Sequence, residues 1–231
     1  MQYPKTRQVN HTDTYFDVAV SDPYRWLEDA DSPEVAEWTQ AQHDFAESVL
    51  HALPARETLR QRLNAVWDYA KYGLPILRGG RLFFTLNDGL KAQPILYVQG
   101  PNGERRVLID PNTLSDDGTV ALVDWQPTHD GKRLMYAISE SGLDWRTFKV
   151  RDVDSGHDLD DTLTNIKFSS VSWRKDGSGF YYSRFPESAA DAGEGNQQVS
   201  HEVYYHRIGT PQSADTRVFA HPDLKGLVIS A

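Results

Sequence analysis

Apolar residues change their spacing once along this chain. From Pro33 to Trp67 they recur every three or four positions, as on one face of a helix. From Tyr72 onward they alternate, as along strands that bury one face. In the first region Val35, Trp38, Phe45 and Val49 share a helical face. Ser32 stands where it can accept a free backbone N–H at the helix start, and Pro33 suits the first helical position. After a break at Leu53-Pro54, Leu59, Leu63, Val66 and Trp67 predict a second helix. The preceding residues are polar and turn-rich. They end in Asp22-Pro23-Tyr24-Arg25-Trp26-Leu27-Glu28-Asp29, whose two aromatics and Leu need a packing partner.

The alternating region repeats itself. Trp125-Gln126-Pro127-Thr128-His129-Asp130-Gly131-Lys132-Arg133-Leu134-Met135-Tyr136 recurs as Trp173-Arg174-Lys175-Asp176-Gly177-Ser178-Gly179-Phe180-Tyr181-Tyr182, with a worn copy at Gly79-Gly80-Arg81-Leu82-Phe83-Phe84. Each copy reads as a strand, a tight glycine turn, and a second strand of bulky residues. The glycines at 79, 131 and 177 set a period of about fifty residues, that of a β-propeller blade. The first unit predicts strands at 72–78, 81–87, 95–99 and 105–109. The second predicts them at 120–126, 133–139 and 147–153, with a weak one near 157–163. The third predicts 168–174, 179–185, 202–208 and 216–220, and Leu227–Ser230 reads as the first strand of a fourth.

The fold expected is therefore mixed: a short α-helical segment over 1–71, then an incomplete β-propeller over 72–231. Its four-stranded antiparallel blades fall at about 72–118, 119–166 and 167–222, with the start of another at 223–231. Three and a fraction blades cannot close a ring, so the expectation is the N-terminal part of a longer protein. In a meander the links alternate between the two ends of the blade. The short glycine turns fall at one end. The longer links, Asp88–Gln93, Glu140–Trp145, Asn165–Phe168 and Pro186–Ser200, fall at the other, where a binding function is expected.

Composition narrows the chemistry. A net charge of -9 argues against a nucleic-acid binder. No apolar run approaches the roughly 20 residues of a spanning helix, and Met1–Arg7 lacks a secretory signal's apolar stretch, so no membrane and a cytoplasmic location are expected. With no Cys there is no disulfide or thiolate. His201 and His206 are five apart in a strand-like segment, not four apart on a helix, and so do not make a zinc motif. Asp152, Asp154, Asp158 and Asp160 echo a calcium loop, but its glycine is one place early and Leu163 replaces the bidentate Glu, so a solvated hairpin turn is expected. There is no Gly-x-Ser-x-Gly elbow and no phosphate-binding glycine loop. The expectation is no cofactor, no metal and no catalytic residue in this stretch.

Longer phrases resemble a known family. Asp22–Asp29, Trp67-Asp68-Tyr69-Ala70-Lys71-Tyr72, Asn87-Asp88-Gly89-Leu90, Leu96-Tyr97-Val98-Gln99, Ile109-Asp110-Pro111-Asn112 and Leu114–Leu122 are similar, in order and spacing, to the opening of the prolyl oligopeptidases. The resemblance implies a serine peptidase that cleaves short peptides on the carboxyl side of proline, with an α/β-hydrolase domain capped by a seven-bladed propeller that gates access. Residues 1–71 would pack on that hydrolase domain, which would supply the missing partner of Tyr24, Trp26 and both helices. The catalytic Ser, Asp and His would lie beyond residue 231, leaving this stretch inactive alone. The partners implied are proline-containing peptides and the hydrolase domain, in a monomer when complete. Phe168 matches a family aromatic that reaches the substrate pocket, Asp144 an acidic position near the active-site interface, and Pro186–Ser200 a mobile gating loop. Two rivals stand: a self-contained propeller scaffold, and a related oligopeptidase cleaving after basic residues.

Overall fold

The computed structural model describes residues 3–186, 200–221 and 228–229. Two compact units are present, Met1–Val66 and Trp67–Ala231. The first begins with a hairpin of β1 (Thr12–Tyr15) and β2 (Val18–Ser21), where the sequence reading expects polar turns. Its two-residue turn, Phe16-Asp17, has φ of 49° and 63°. That geometry ordinarily announces itself through Asn-Gly or Gly-Gly, and here neither is present.

Helix α1 (Pro33–His51) starts at the predicted proline. Ser32 occupies the cap position, but its side chain makes no capping bond, contrary to expectation. The predicted face is in use. Val35 is buried, Tyr3 packs on Phe45 at 5.1 Å between ring centroids, and Trp26 meets Trp38 edge-on at 6.4 Å. Trp26 also donates from Nε1 to the Arg7 carbonyl at 3.0 Å, and the Arg7 guanidinium lies over its ring. Trp26 therefore finds within the described residues the packing that the sequence reading assigned to a missing domain. Helix α2 (Arg56–Trp67) buries none of its residues, and Leu59 and Leu63 are 59% and 63% exposed.

Among its described residues the second unit holds three antiparallel meanders, none of them closed. In the first, β5 (Arg81–Asn87), β6 (Ile95–Gln99) and β7 (Arg105–Ile109) follow two short strands, β3 (Lys71–Tyr72) and β4 (Ile76–Arg78), both paired to β5. The single strand expected over 72–78 is thus split. Gly73 N–H reaches the Thr85 carbonyl at 2.9 Å, and Pro75 has no N–H to continue the ladder. The second meander comprises β8 (Val120–Pro127), β9 (Arg133–Glu140), β10 (Arg146–Asp152) and β11 (Asp158–Ile166). The expected weak strand is nine residues long. The third comprises β12 (Val171–Trp173), shorter than the expected 168–174, then β13 (Gly179–Arg184), β14 (Glu202–Arg207) and β15 (Thr216–Phe219). Of the expected fourth-blade strand, Val228 and Ile229 lie in no strand, and the remainder falls outside the described residues.

The blades stack through both faces of β9. Leu134 and Tyr136 pack with Phe83, Leu96 and Leu108 of the first blade. The alternate residues Met135 and Ala137 pack with Val171, Phe180 and Tyr182 of the third. The repeated turns also touch. A Cβ on Gly79 would stand 1.8 Å from the Asp130 carbonyl oxygen, and one on Gly131 would stand 2.6 Å from that of Arg78. Two residues after Gly79 and two after Gly131, an arginine reaches into the next blade's turn: Arg81 Nη1 donates to Gly131 O at 3.4 Å, and Arg133 Nη1 to Gly177 O at 3.0 Å. The sequence repeat is therefore a repeated inter-blade hydrogen bond.

Candidate functional site

Strand register fixes which links share an end. Pairings such as Arg78 with Arg81, Gln99 with Arg105, and Pro127 with Leu134 close the blades at the glycine-turn end. At the opposite end stand Glu140 and Arg146, Ile166, and the pair Arg184 and Glu202. Phe185 N–H bonds across blades to the Asn165 carbonyl at 3.0 Å, so the longer links of blades two and three adjoin.

A compact group of side chains stands at that end. The Lys167 ammonium lies 3.4 Å from Asp144 Oδ2, 5.5 Å from the Trp145 ring centroid and 5.3 Å from that of Phe168. Its side chain is only 14% exposed, whereas that of Asp144 is 57% exposed and Phe168 remains 47% exposed. Trp145 packs edge-on against Phe185 at 5.8 Å, and Phe185 against His201 at 4.2 Å. His201 is fully buried, and its Nε2 has no hydrogen-bond partner. Burial pushes its imidazole below the usual range, leaving it neutral.

The backbone carrying Phe168 is held on both sides. Ser183 N–H donates to Ser169 Oγ at 2.9 Å, and Arg146 Nη1 to the Ser169 carbonyl at 3.2 Å. Phe168 itself has φ of 56°, the left-handed region, at a cost of roughly 1–2 kcal/mol for a residue with a Cβ. Neighbouring contacts must offset that cost. The link that carries Asp144 is closed by Ser139 Oγ, which donates to the Leu143 carbonyl. Beside it, a groove of about 260 Å³ runs between Glu140, Leu143, Trp145 and Asn165. Such a surface offers aromatic faces and the carboxylates of Asp144 and Glu140 to a ligand. Among its described residues no nucleophile is paired with a base.

A second buried group lies between blades. His206 of β14 faces Asp161 of β11 at 2.9 Å through Nε2 and Asp215 at 2.7 Å through Nδ1, with all three side chains at most 1% exposed. Burial alone would lower its pKa. The two carboxylates outweigh burial and raise it to about 9. This is an ion-paired seam, and His201 and His206 turn to different partners, as their odd spacing requires. Asp152 accepts from Ser155 N–H within its own turn and Asp158 pairs with Arg151 across the hairpin, while Asp154 pairs with Arg81 of the first blade. Among the described residues no group of three or more His, Asp or Glu is placed to hold a metal.

The family model for the prolyl oligopeptidase N-terminal β-propeller domain matches residues 4–231. The chain belongs to the prolyl oligopeptidase family. It is 39% identical over 215 residues to the prolyl endopeptidase of Elizabethkingia meningoseptica, covering 93% of this chain and 30% of that protein. It is 36% identical over 261 residues to prolyl oligopeptidase A of Amanita bisporigera, covering 96% and 33% respectively. A solved prolyl endopeptidase, one of two compared for the role of inter-domain dynamics in catalysis and specificity, superimposes with a TM-score of 0.87 at 36% identity over 94% of this chain and 32% of that one. Prolyl oligopeptidase B of Galerina marginata, bound to a 35mer hydrolysis and macrocyclization substrate, superimposes at 0.81 with 34% identity, over 96% and 34%. The chain thus spans about a third of the length of these relatives.

The propeller of this family member brings together the two residues singled out from the sequence, Phe168 and Asp144, through a residue the sequence did not nominate. In the sequence Lys167 stands within the Asn165–Phe168 link with no role assigned to it. Its burial depends on Trp145 from another link. Phe185 is not singled out in the sequence, and His201 is weighed there only as a metal ligand. Most of the Pro186–Ser200 link, residues 187–199, lies outside the described residues.

Proposed function

We propose that this chain is the N-terminal part of a serine peptidase that hydrolyses short peptides on the carboxyl side of proline. The observation that carries the reading is the family match across residues 4–231, joined to relatives named prolyl endopeptidase and prolyl oligopeptidase. A domain supplying the Ser, His and Asp would close over the end of the propeller that bears Phe168 and Asp144. Peptides would reach it past that end, with the propeller limiting access to short ones. Phe168 would offer its exposed ring to the substrate, and Asp144 would set the local charge. Chemistry would run by acyl transfer: the serine is activated by histidine, and an oxyanion hole stabilises the tetrahedral intermediate. Residues 1–71 would pack on that domain, for which the exposed α2 stripe is the support. The 231 residues alone would be inactive, and the complete enzyme a cytoplasmic monomer; among the described residues no helix is long and apolar enough to cross a membrane.

The test is to read the coding sequence past residue 231 and assay its product on Gly-Pro and Gly-Arg chromogenic peptides. The expected result is a Gly-x-Ser-x-Gly elbow downstream, with cleavage after proline by the complete product and none by the 231-residue chain. Cleavage after arginine alone, or a ring of blades with no elbow, would overturn it.

A further inference from the structure

Lys167 is a well-enclosed cation at the end of the blades that bears the longer links, its side chain 14% exposed. Its ammonium touches three groups from two separate links: the Asp144 carboxylate at 3.4 Å, the Trp145 ring at 5.5 Å and the Phe168 ring at 5.3 Å. A lysine held at 14% exposure loses most of its hydration and the freedom of a four-carbon stem, so a purely decorative role is a poor account of it. The backbone next to it gives the reason. Phe168 is in the left-handed region, yet its ring is 47% exposed. Hydrophobic burial therefore supplies only part of what holds the ring in place. A cation over its face supplies a directional contact, and the contact strengthens where water is excluded. The chain on either side is already fixed, by Phe185 N–H on Asn165 and Ser183 N–H on Ser169. The χ angles of Phe168 are what remain to be set.

We propose that Lys167 is a positioning residue for the substrate-facing aromatic: clamped between Trp145 and Asp144, its ammonium fixes the Phe168 ring in the orientation that a peptide meets. The Asp144 carboxylate, 3.4 Å from the ammonium and 57% exposed, holds the other side of the lysine while still facing solvent. The positioning claim stands on the contacts alone. Only its service to substrate rests on the peptidase reading.

The experiment uses the complete gene product with 4-fluorophenylalanine at position 168, in wild type, Lys167→Met and Lys167→Arg. The fluorine resonance of the Met variant is expected to move towards that of the free amino acid, and the Arg variant, whose guanidinium also stacks on rings, is expected to return it. On a proline peptide, Lys167→Met should raise KM about tenfold with kcat within twofold and the melting temperature unchanged, and Lys167→Arg should recover most of the loss. Because Lys167 acts through Phe168, adding Lys167→Met to Phe168→Ala should cost nothing further. An unmoved fluorine resonance in Lys167→Met overturns the inference, as does a KM effect that multiplies onto Phe168→Ala. If the wild-type product cleaves no proline peptide, the proposed function falls, and the fluorine measurement still decides this one.

Discussion

At the scale of single residues, His206 makes the sharpest prediction. Its folded pKa of about 9 lies above the ordinary value near 6.5, so folding favours the charged form. The stabilisation is fully present below pH 6.5 and is lost as pH rises through 9. At 1.36 kcal/mol per unit it amounts to about 3 kcal/mol, a substantial share of a domain's stability. Urea midpoints measured from pH 6 to pH 10 should fall through this window, and His206→Asn should be less stable at pH 6 and flat across it. Asp161 works in the opposite direction. Burial raises its pKa, but bonds from His206 and the Gly209 N–H prevail and hold it below the usual range, so its contribution is lost only in acid. Under the proposed peptidase reading, Phe168→Ala should raise KM for a proline peptide about tenfold, equivalent to about 1.4 kcal/mol, with a smaller effect on kcat. Neither role can be read from its residue alone. A histidine in a strand and a phenylalanine after a strand are ordinary until Asp161, Asp215 and Lys167 are known to face them.

Elements were more legible. Where turn residues bound a bulky run, as Gly80, Gly100, Gly103 and Asp110-Pro111 do around 81–87, 95–99 and 105–109, the predicted limits agree with β5, β6 and β7. The misses have separate physical causes. β11 carries Asp158, Asp160 and Asp161, which spoil its apolar alternation, yet Asp161 turns inward because His206 neutralises it. The β1–β2 hairpin turns on two non-glycine residues with positive φ. Ser32 sits at a helix start and accepts the Ala36 N–H through its carbonyl, but its side chain makes no capping bond. The turn glycines allow a direct test. Gly79 has φ of 54° and no room for a Cβ beside Asp130, whereas Gly118 has φ of 71° and open space around it. Gly118→Ala should cost only backbone strain, about 1 kcal/mol. Gly79→Ala adds a clash with rigid backbone and should cost about 3 kcal/mol or more, read as a loss of urea midpoint.

For the whole molecule, the exposed stripe on α2 matters most. Leu59 and Leu63 face solvent, and a groove of about 460 Å³ opens between them and Leu50, Leu53 and Pro54. Surface changes away from packing contacts usually shift stability by less than about 0.5 kcal/mol. Leu59→Asp with Leu63→Asp should therefore leave the 231-residue chain as stable as before. If the remaining two thirds of the length seen in relatives covers this stripe, the same pair should lower the melting temperature of the complete product and expose it to proteolysis. An equal, negligible effect in both would count against that cover.

The blade repeat, the change from helix to strand, the two ends of the meander and the family resemblance are legible along the chain, because each is a local or periodic property: alternation, a turn glycine, a phrase of neighbouring residues. Tertiary structure decided the rest. The stacking of β9 between two blades, the arginine that reaches from one turn to the next, the buried pairing of His206 with Asp161 and that of Lys167 with Asp144 join residues more than 20 positions apart. The energy of a buried charge depends on which opposite charges and rings the fold sets against it, and no spacing along a single strand encodes that.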